Sequence, residues 1–264
     1  MHGQRPIGIL DSGVGGLTVL KQLSRLLPQE SFIYFADQKN LPYGSKKQRE
    51  LRKITANAVR FLHGEKAKTI VIACNTATVY ALDYLRSKFD LPIIGIVPIV
   101  KTAAQETKNG RIGILSTVAT SKSHYQKELI NKFAGALKVV NLGTDELVPF
   151  VERGEIESPR LSKALEAILS AFQRERIDTL ALGCSHFPFL GESIRKILGS
   201  VLILDSAAAI SRQTKRVLEQ NHALSDRRGD LVFYTTGDVV KFKEVAAKLL
   251  KKTIVRVNKA TYNY

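Results

Sequence analysis

Two short apolar runs, residues 69–73 and 179–182, each lead the chain to one of its only two cysteines, Cys74 and Cys184. Polar groups follow each cysteine: Asn75 and Thr76 after the first, Ser185 and His186 after the second. Short continuous apolar runs bounded by polar residues read as buried strands. A strand that ends in a reactive side chain and passes into a helix is the usual site-building unit of an open parallel sheet, whose ligands lie beyond the carboxyl ends of the strands. Here that unit occurs twice.

The rest of the chain alternates in the same way. Residues 7–10 predict a strand. Leu17, Leu20, Leu23 and Leu27 then recur at helical spacing up to Pro28. Strands are expected over 31–36, 69–73 and 92–97, helices over 47–63 and 76–88, and a loop over 37–45 with Pro42 and Gly44 as breakers. The pattern then restarts: residues 111–115, RIGIL, repeat the IGIL of 7–10. A polar loop is expected over 116–123, helices over 124–133 and 158–174, and strands over 137–140, 179–182 and 201–204. Ile7 precedes Cys74 by 67 positions and Ile112 precedes Cys184 by 72. A period near 70 is too long for a solenoid and reads as a duplicated α/β half. The expected fold is therefore α/β, with two pseudo-symmetric open parallel-sheet domains and the active site in the cleft between them. The tail adds a helix over 207–220, a strand over 231–235, a helix over 239–249 and a last strand over 253–257. It is expected to pack back on the first domain. That domain would comprise residues 1–97 plus 207–264 and the second 98–206, with hinges near Val97-Pro98 and Leu204–Ser206.

No run reaches the roughly 18 apolar residues of a membrane span, and the N-terminus lacks a signal peptide's apolar stretch. Two cysteines in 264 residues are not a disulfide framework, which fits a reducing cytoplasm. Forty Lys and Arg against 24 Asp and Glu give a formal charge of +16. That charge fits nucleic acid, an anionic surface or an anionic substrate, but it is dispersed, with no aromatic-interleaved basic tract. A solvated basic surface is the plainer reading.

The chemistry-bearing residues cluster at expected strand ends: Asp11, Ser12, Cys74, Asn75, Thr76, Thr117, Cys184 and His186. The segment 11–16, DSGVGG, joins a strand to a helix. It matches neither G-x-G-x-x-G nor a P-loop. It offers helix-start N–H groups to a carboxylate or a phosphate, or is simply a tight turn capped by Asp11 or Ser12. Neither Cys-x-x-Cys nor Cys-x-x-His spacing occurs, so no metal is expected. Opposed thiols suit racemisation, in which one face of a stereocentre loses a proton and the other gains one. A thiol's pKa lies close enough to neutrality for either role. In that chemistry His186 assists Cys184, and Asp11 orients a substrate ammonium or assists Cys74. Asn75, Thr76 and Ser185 supply donors for a carboxylate, and Tyr43 and Gly44 add a hydroxyl and an N–H. The Pro42–Gly44 segment also reads as a plain turn.

These residues resemble glutamate racemases of the cofactor-independent aspartate/glutamate racemase superfamily. The likeness rests on DSGVGG (11–16), Asp37 with PYG (42–44), CNTA (74–77), Val97-Pro98, the threonine loop (117–123), VERG (151–154), GCSHFP (183–188) and YTTGD (234–238). It implies Cys74 and Cys184 as the two acid/base residues, without cofactor or metal. It implies substrate contacts from Asp11, Ser12, Pro42, Tyr43, Gly44, Asn75, Thr76, Thr117 or Thr120, Ser185 and His186, with Glu152 supporting His186. It further implies interconversion of L- and D-glutamate for peptidoglycan synthesis, by a cytoplasmic homodimer. Some such enzymes also act on DNA gyrase, a minor reading for the basic surface here. Ser185 and Phe187 stand where the family commonly has Thr and Tyr.

Overall fold

The computed structural model describes residues 4–96, 99–227 and 229–261. The first half runs β1 (Ile7–Asp11), α1 (Leu17–Leu26), β2 (Phe32–Ala36), α2 (Gln48–Gly64), β3 (Thr69–Ile72), α3 (Asn75–Arg86) and β4 (Ile93–Gly95). After α4 (Val100–Glu106) the series repeats: β5 (Arg111–Ser116), α5 (Val118–Lys122), α6 (His124–Ala134), β6 (Lys138–Gly143), α7 (Val148–Glu152), α8 (Pro159–Arg174), β7 (Thr179–Gly183), α9 (Gly191–Leu198) and β8 (Leu202–Leu204). The tail adds α10 (Ala207–Gln220), β9 (Leu231–Thr235), α11 (Val239–Leu250) and β10 (Val257–Lys259).

The strands form two parallel sheets, ordered β10-β9-β2-β1-β3-β4 and β6-β5-β7-β8. The order β2-β1-β3-β4 of the first is the order β6-β5-β7-β8 of the second, so the repeat seen in the residues is a repeat of topology. Register follows it closely: Ile7 pairs with Thr69, and Ile112 with Thr179. Cys74 and Cys184 each lie five positions beyond the paired threonine. β1, β2, β3 and β7 are buried along their whole length, as strands covered on both faces must be. That explains why they read as unbroken apolar runs rather than alternating ones.

The tail closes the first sheet, since β9 pairs with β2 and β10 with β9. α10 packs against α1. At the amino ends of the strands, Lys68 and Glu30 form a buried ion pair at 2.5 Å. Lys68 Nζ also donates to the Ala223 carbonyl, and Glu30 Oε1 accepts from the Ser225 N–H. The connection from α10 to β9 is thereby pinned to the sheet. One continuous apolar core runs through both sheets, including Val14 and Leu17 from the first half and Val148, Val151 and Phe187 from the second.

Three local expectations change. The polar stretch 116–123 is not a loop. Ser116 ends β5, and Thr117 caps α5 by accepting from the Thr120 N–H at 3.2 Å. A five-residue helix is too short to leave a periodic signal. The last strand lies at Val257–Lys259 rather than 253–257, because α11 ends with Lys251 at φ 52° and Val255 then points outward, 86% exposed. Neither Asp11 nor Ser12 caps α1, whose N-cap is Gly16; Asp11 instead accepts from the Gly13 N–H at 3.0 Å. The hinge at Val97-Pro98 lies outside the described residues. Among those residues no helix is long and apolar enough to cross a membrane.

Candidate active site

The carboxyl ends of both sheets meet at one small cavity of about 20 Å³. Its wall includes Ser12, Cys74, Asn75 and Thr76 from the first sheet's strand ends, and Thr117, Cys184, Ser185 and His186 from the second. Pro42, Tyr43 and Gly44 complete the wall from the loop after β2. Two members escaped the sequence reading, Asp145 and Val148. Both follow β6, the strand equivalent to β2, so the topology points to them although no motif does. None of the 40 Lys and Arg lines the cavity among the described residues. The Lys and Arg charge is therefore not spent on the site, whose donors are hydroxyls, amides, backbone N–H groups and the His186 ring.

Cys74 is the N-cap residue of α3 and is 5% exposed. Burial pushes its thiol far up, and the neighbouring charges of Asp11 and Cys184 add to that. The Ala77 N–H and the Ser12 hydroxyl oppose it. Cys184 is equally buried, and both cysteines are free thiols. The second thiol has a different neighbour: Cys184 Sγ lies 3.8 Å from His186 Nδ1, and His186 Nε2 lies 2.7 Å from Glu152 Oε1. Burial disfavours the His186 cation, but its contacts with Cys184 and Glu152 outweigh this and hold its pKa well above the usual value. Glu152 is held below its usual value: burial works against the carboxylate, and hydrogen bonds from His186, Gln38 and Val14 overcome it.

Asp11, Glu152 and Thr120 stand behind the wall. Asp11 is fully buried, and burial raises its carboxyl above the usual range against the pull of His186. Glu152 reaches from α7 to the first lobe, where Oε1 also accepts from the Val14 N–H at 2.7 Å. The glycines of the DSGVGG turn make room for this. A Cβ on Gly13 would lie 1.9 Å from Glu152 Oε1, and one on Gly15 would lie 2.5 Å from His186 Nδ1 and Ser185 Oγ. Thr76, Thr117 and Thr120 form a hydroxyl cluster across the lobes at 2.9–3.3 Å. Of the two candidate threonines, Thr117 faces the cavity and Thr120 supports it.

Tyr43 lines the site, but its hydroxyl is committed. It donates to Asp37 Oδ2 at 2.7 Å, while Thr236 of the tail donates to Asp37 Oδ1 at 3.0 Å. Tyr43 therefore offers its ring and backbone rather than a free hydroxyl. We expect Tyr43→Phe to cost about 1.5 kcal/mol of stability, the lower end for a hydrogen bond to a charged group, and to change kcat less than about threefold. Urea unfolding beside steady-state kinetics checks this. Among the described residues no group of three or more His, Cys, Asp or Glu side chains could hold a metal.

The chain is similar to known proteins over most of its length. The model of the Asp/Glu/Hydantoin racemase family matches residues 7–214. The chain belongs to that family. Its similarity to curated members is extensive: it is 42% identical over 238 residues to a glutamate racemase of Deinococcus radiodurans, covering 88% of this chain and 82% of that protein. The fold resembles a crystal structure of a glutamate racemase from Bacillus anthracis, with a TM-score of 0.90, 34% identity and 98% of each chain covered. It also resembles Escherichia coli glutamate racemase in complex with L-glutamate and the activator UDP-MurNAc-Ala, with a TM-score of 0.87, 33% identity, and 97% and 98% of the two chains covered. The family match thus includes both cysteine motifs.

Proposed function

We propose that this chain is a glutamate racemase that inverts Cα with Cys74 and Cys184 as its two acid/base residues. The observation that carries this reading is that two buried thiols, one from each pseudo-symmetric half, line one cavity. The similarity to glutamate racemases over most of the chain supports the substrate. In the reaction one cysteine, as thiolate, takes the Cα proton. The electron pair left on Cα is delocalised into the carboxylate, and the opposite thiol delivers its own proton to the other face. The α-carboxylate is then stabilised by the hydroxyls around Thr76 and Thr117 and by the open N–H groups at the start of α3. The two thiols have different neighbours: Cys184 Sγ lies 3.8 Å from His186 Nδ1, whereas burial and the Asp11 charge push the Cys74 thiol up. Asp11 orients the ammonium. The two lobes are residues 1–97 with 207–264, and 98–206. The enzyme works as a cytoplasmic homodimer, supplying D-glutamate for peptidoglycan.

The test is incubation with L-glutamate in D₂O. Optical activity should decay to zero while deuterium enters Cα, with glutamate preferred over aspartate in parallel reactions. An absence of both exchange and rotation change, with both thiols reduced, refutes the proposal.

A further inference from the structure

We propose that Gln38 is a positioning residue for the Cys184 half of the reaction: its side-chain amide holds the Glu152 carboxylate that orients His186, and Thr235 sets which way that amide faces. The inference rests on the racemase reading above.

Gln38 begins a short turn of 3-10 helix directly after the buried Asp37. It lies on the first lobe, whereas Glu152 and His186 lie on the second. Its Nε2 donates to Glu152 Oε2 at 2.8 Å. The other carboxylate oxygen, Oε1, is already shared by Val14 N–H and His186 Nε2, each at 2.7 Å. Among the described residues no other donor reaches Oε2. Two oxygens pinned on opposite sides fix the plane of the carboxylate, and this fixes the direction in which the imidazole presents Nδ1 to Cys184 Sγ.

The amide itself has only one workable orientation. Thr235 Oγ1 accepts from the Gly237 N–H at 3.0 Å, which turns its own O–H toward Gln38 Oε1 at 2.9 Å. With the amide reversed, its carbonyl would lie against Glu152 Oε2, two acceptors in contact. Gly237 closes the pocket from the far side, where a Cβ would come within 2.7 Å of Gln38 Oε1. A chain of polar contacts therefore runs from the last turn of the first sheet, through Thr235, Gln38, Glu152 and His186, to Cys184. Among the described residues Cys74 has no such chain: its neighbours are the Asp11 charge, the Cys184 thiol, the Ser12 hydroxyl and a helix-start N–H. Gln38 does not line the cavity, so it acts on proton transfer through Glu152 and His186 and not by touching substrate.

The experiment is the pH dependence of kcat/KM for glutamate in wild type, Gln38→Leu, Gln38→Glu, Thr235→Val and Thr235→Ser. Losing a hydrogen bond to an ionised group corresponds to about 10- to 100-fold, and Gln38→Leu should lower kcat/KM by that factor with little change in KM. Because the two enantiomers are equal in energy, the loss must be the same in both directions. A carboxylate deprived of a donor protonates more readily, so the acid limb of the profile should move to higher pH. It should move further in Gln38→Glu, where two carboxylates face each other. Thr235→Val should shift it in the same direction and Thr235→Ser should restore it. This pair also guards against misfolding at position 38. An unmoved acid limb overturns the proposal even if activity falls, because Gln38 would then merely tie the lobes together. Unchanged kcat/KM in Gln38→Leu overturns it as well. A wild-type protein inactive on glutamate overturns the parent reading instead, and is recognised before any variant is compared.

Discussion

Alanine at either Cys74 or Cys184 should reduce interconversion of L- and D-glutamate by about 10⁴-fold or more. One acid or base typically contributes 10²–10⁴-fold, and here each thiol takes part in every turnover, as base for one enantiomer and as acid for the other. Apart from the other thiol, His186 and Asp145, the lining residues are hydroxyl, amide or apolar groups, none of which faces Cα as the lost thiol did. The two variants should nonetheless differ in what they retain. Each keeps one thiol facing one side of Cα, so each should still exchange the Cα proton of one enantiomer with solvent while failing to invert it. The enantiomer that exchanges should be opposite in the two variants. Proton NMR of separate L- and D-glutamate samples in D₂O reads both results. If either variant racemises at the wild-type rate, or both exchange the same enantiomer, the two-sided assignment is wrong.

The second large effect is steric. Gly15→Ala should lower kcat/KM by about 10²-fold, the loss that a misplacement of roughly 1 Å in a catalytic group produces. The added methyl would sit 2.5 Å from both His186 Nδ1 and Ser185 Oγ. His186 cannot retreat freely, because Glu152 holds its other nitrogen at 2.7 Å. Gly15 has no unusual backbone conformation, so alanine is acceptable to the local turn and the melting temperature should stay within a few degrees of wild type. Kinetics and thermal melting on one preparation separate these effects. A large loss of stability with normal kcat/KM would place the clash within one lobe instead of across the seam between them.

Much of this was legible from the residues because parallel strands buried on both faces leave unbroken apolar runs. The repeated IGIL and the matched positions of the cysteines are the surface trace of the shared order β2-β1-β3-β4 and β6-β5-β7-β8. Cys74, Cys184, Ser12 and Thr117 could be placed together because each lies just past such a run. What stayed hidden depends on pairing between distant segments. Asp145 and Val148 reach the cavity only because β6 lies beside β5. The commitment of the Tyr43 hydroxyl depends on Asp37, itself bound to Thr236 nearly 200 residues away in the chain. Thr117 and Thr120 could not be ranked because five residues of helix leave no periodicity. Gln38 was passed over because its importance comes from Glu152, 114 positions further on.

Synthesis from the amino end gives the tail another significance. The strands of the second sheet are contiguous in the chain, from Arg111 to Leu204, whereas the first sheet waits for β9 and β10. During translation the later-made sheet can complete its hydrogen bonding while the earlier one still has an open edge, reversing the usual order in which the N-terminal unit folds first. Asp37 and Gln38 meanwhile lack Thr236 and Thr235, and Lys68 and Glu30 lack their acceptor and donor on the connection to β9. The contacts that orient Gln38 and hold Asp37 therefore form only after both cysteine motifs have been made.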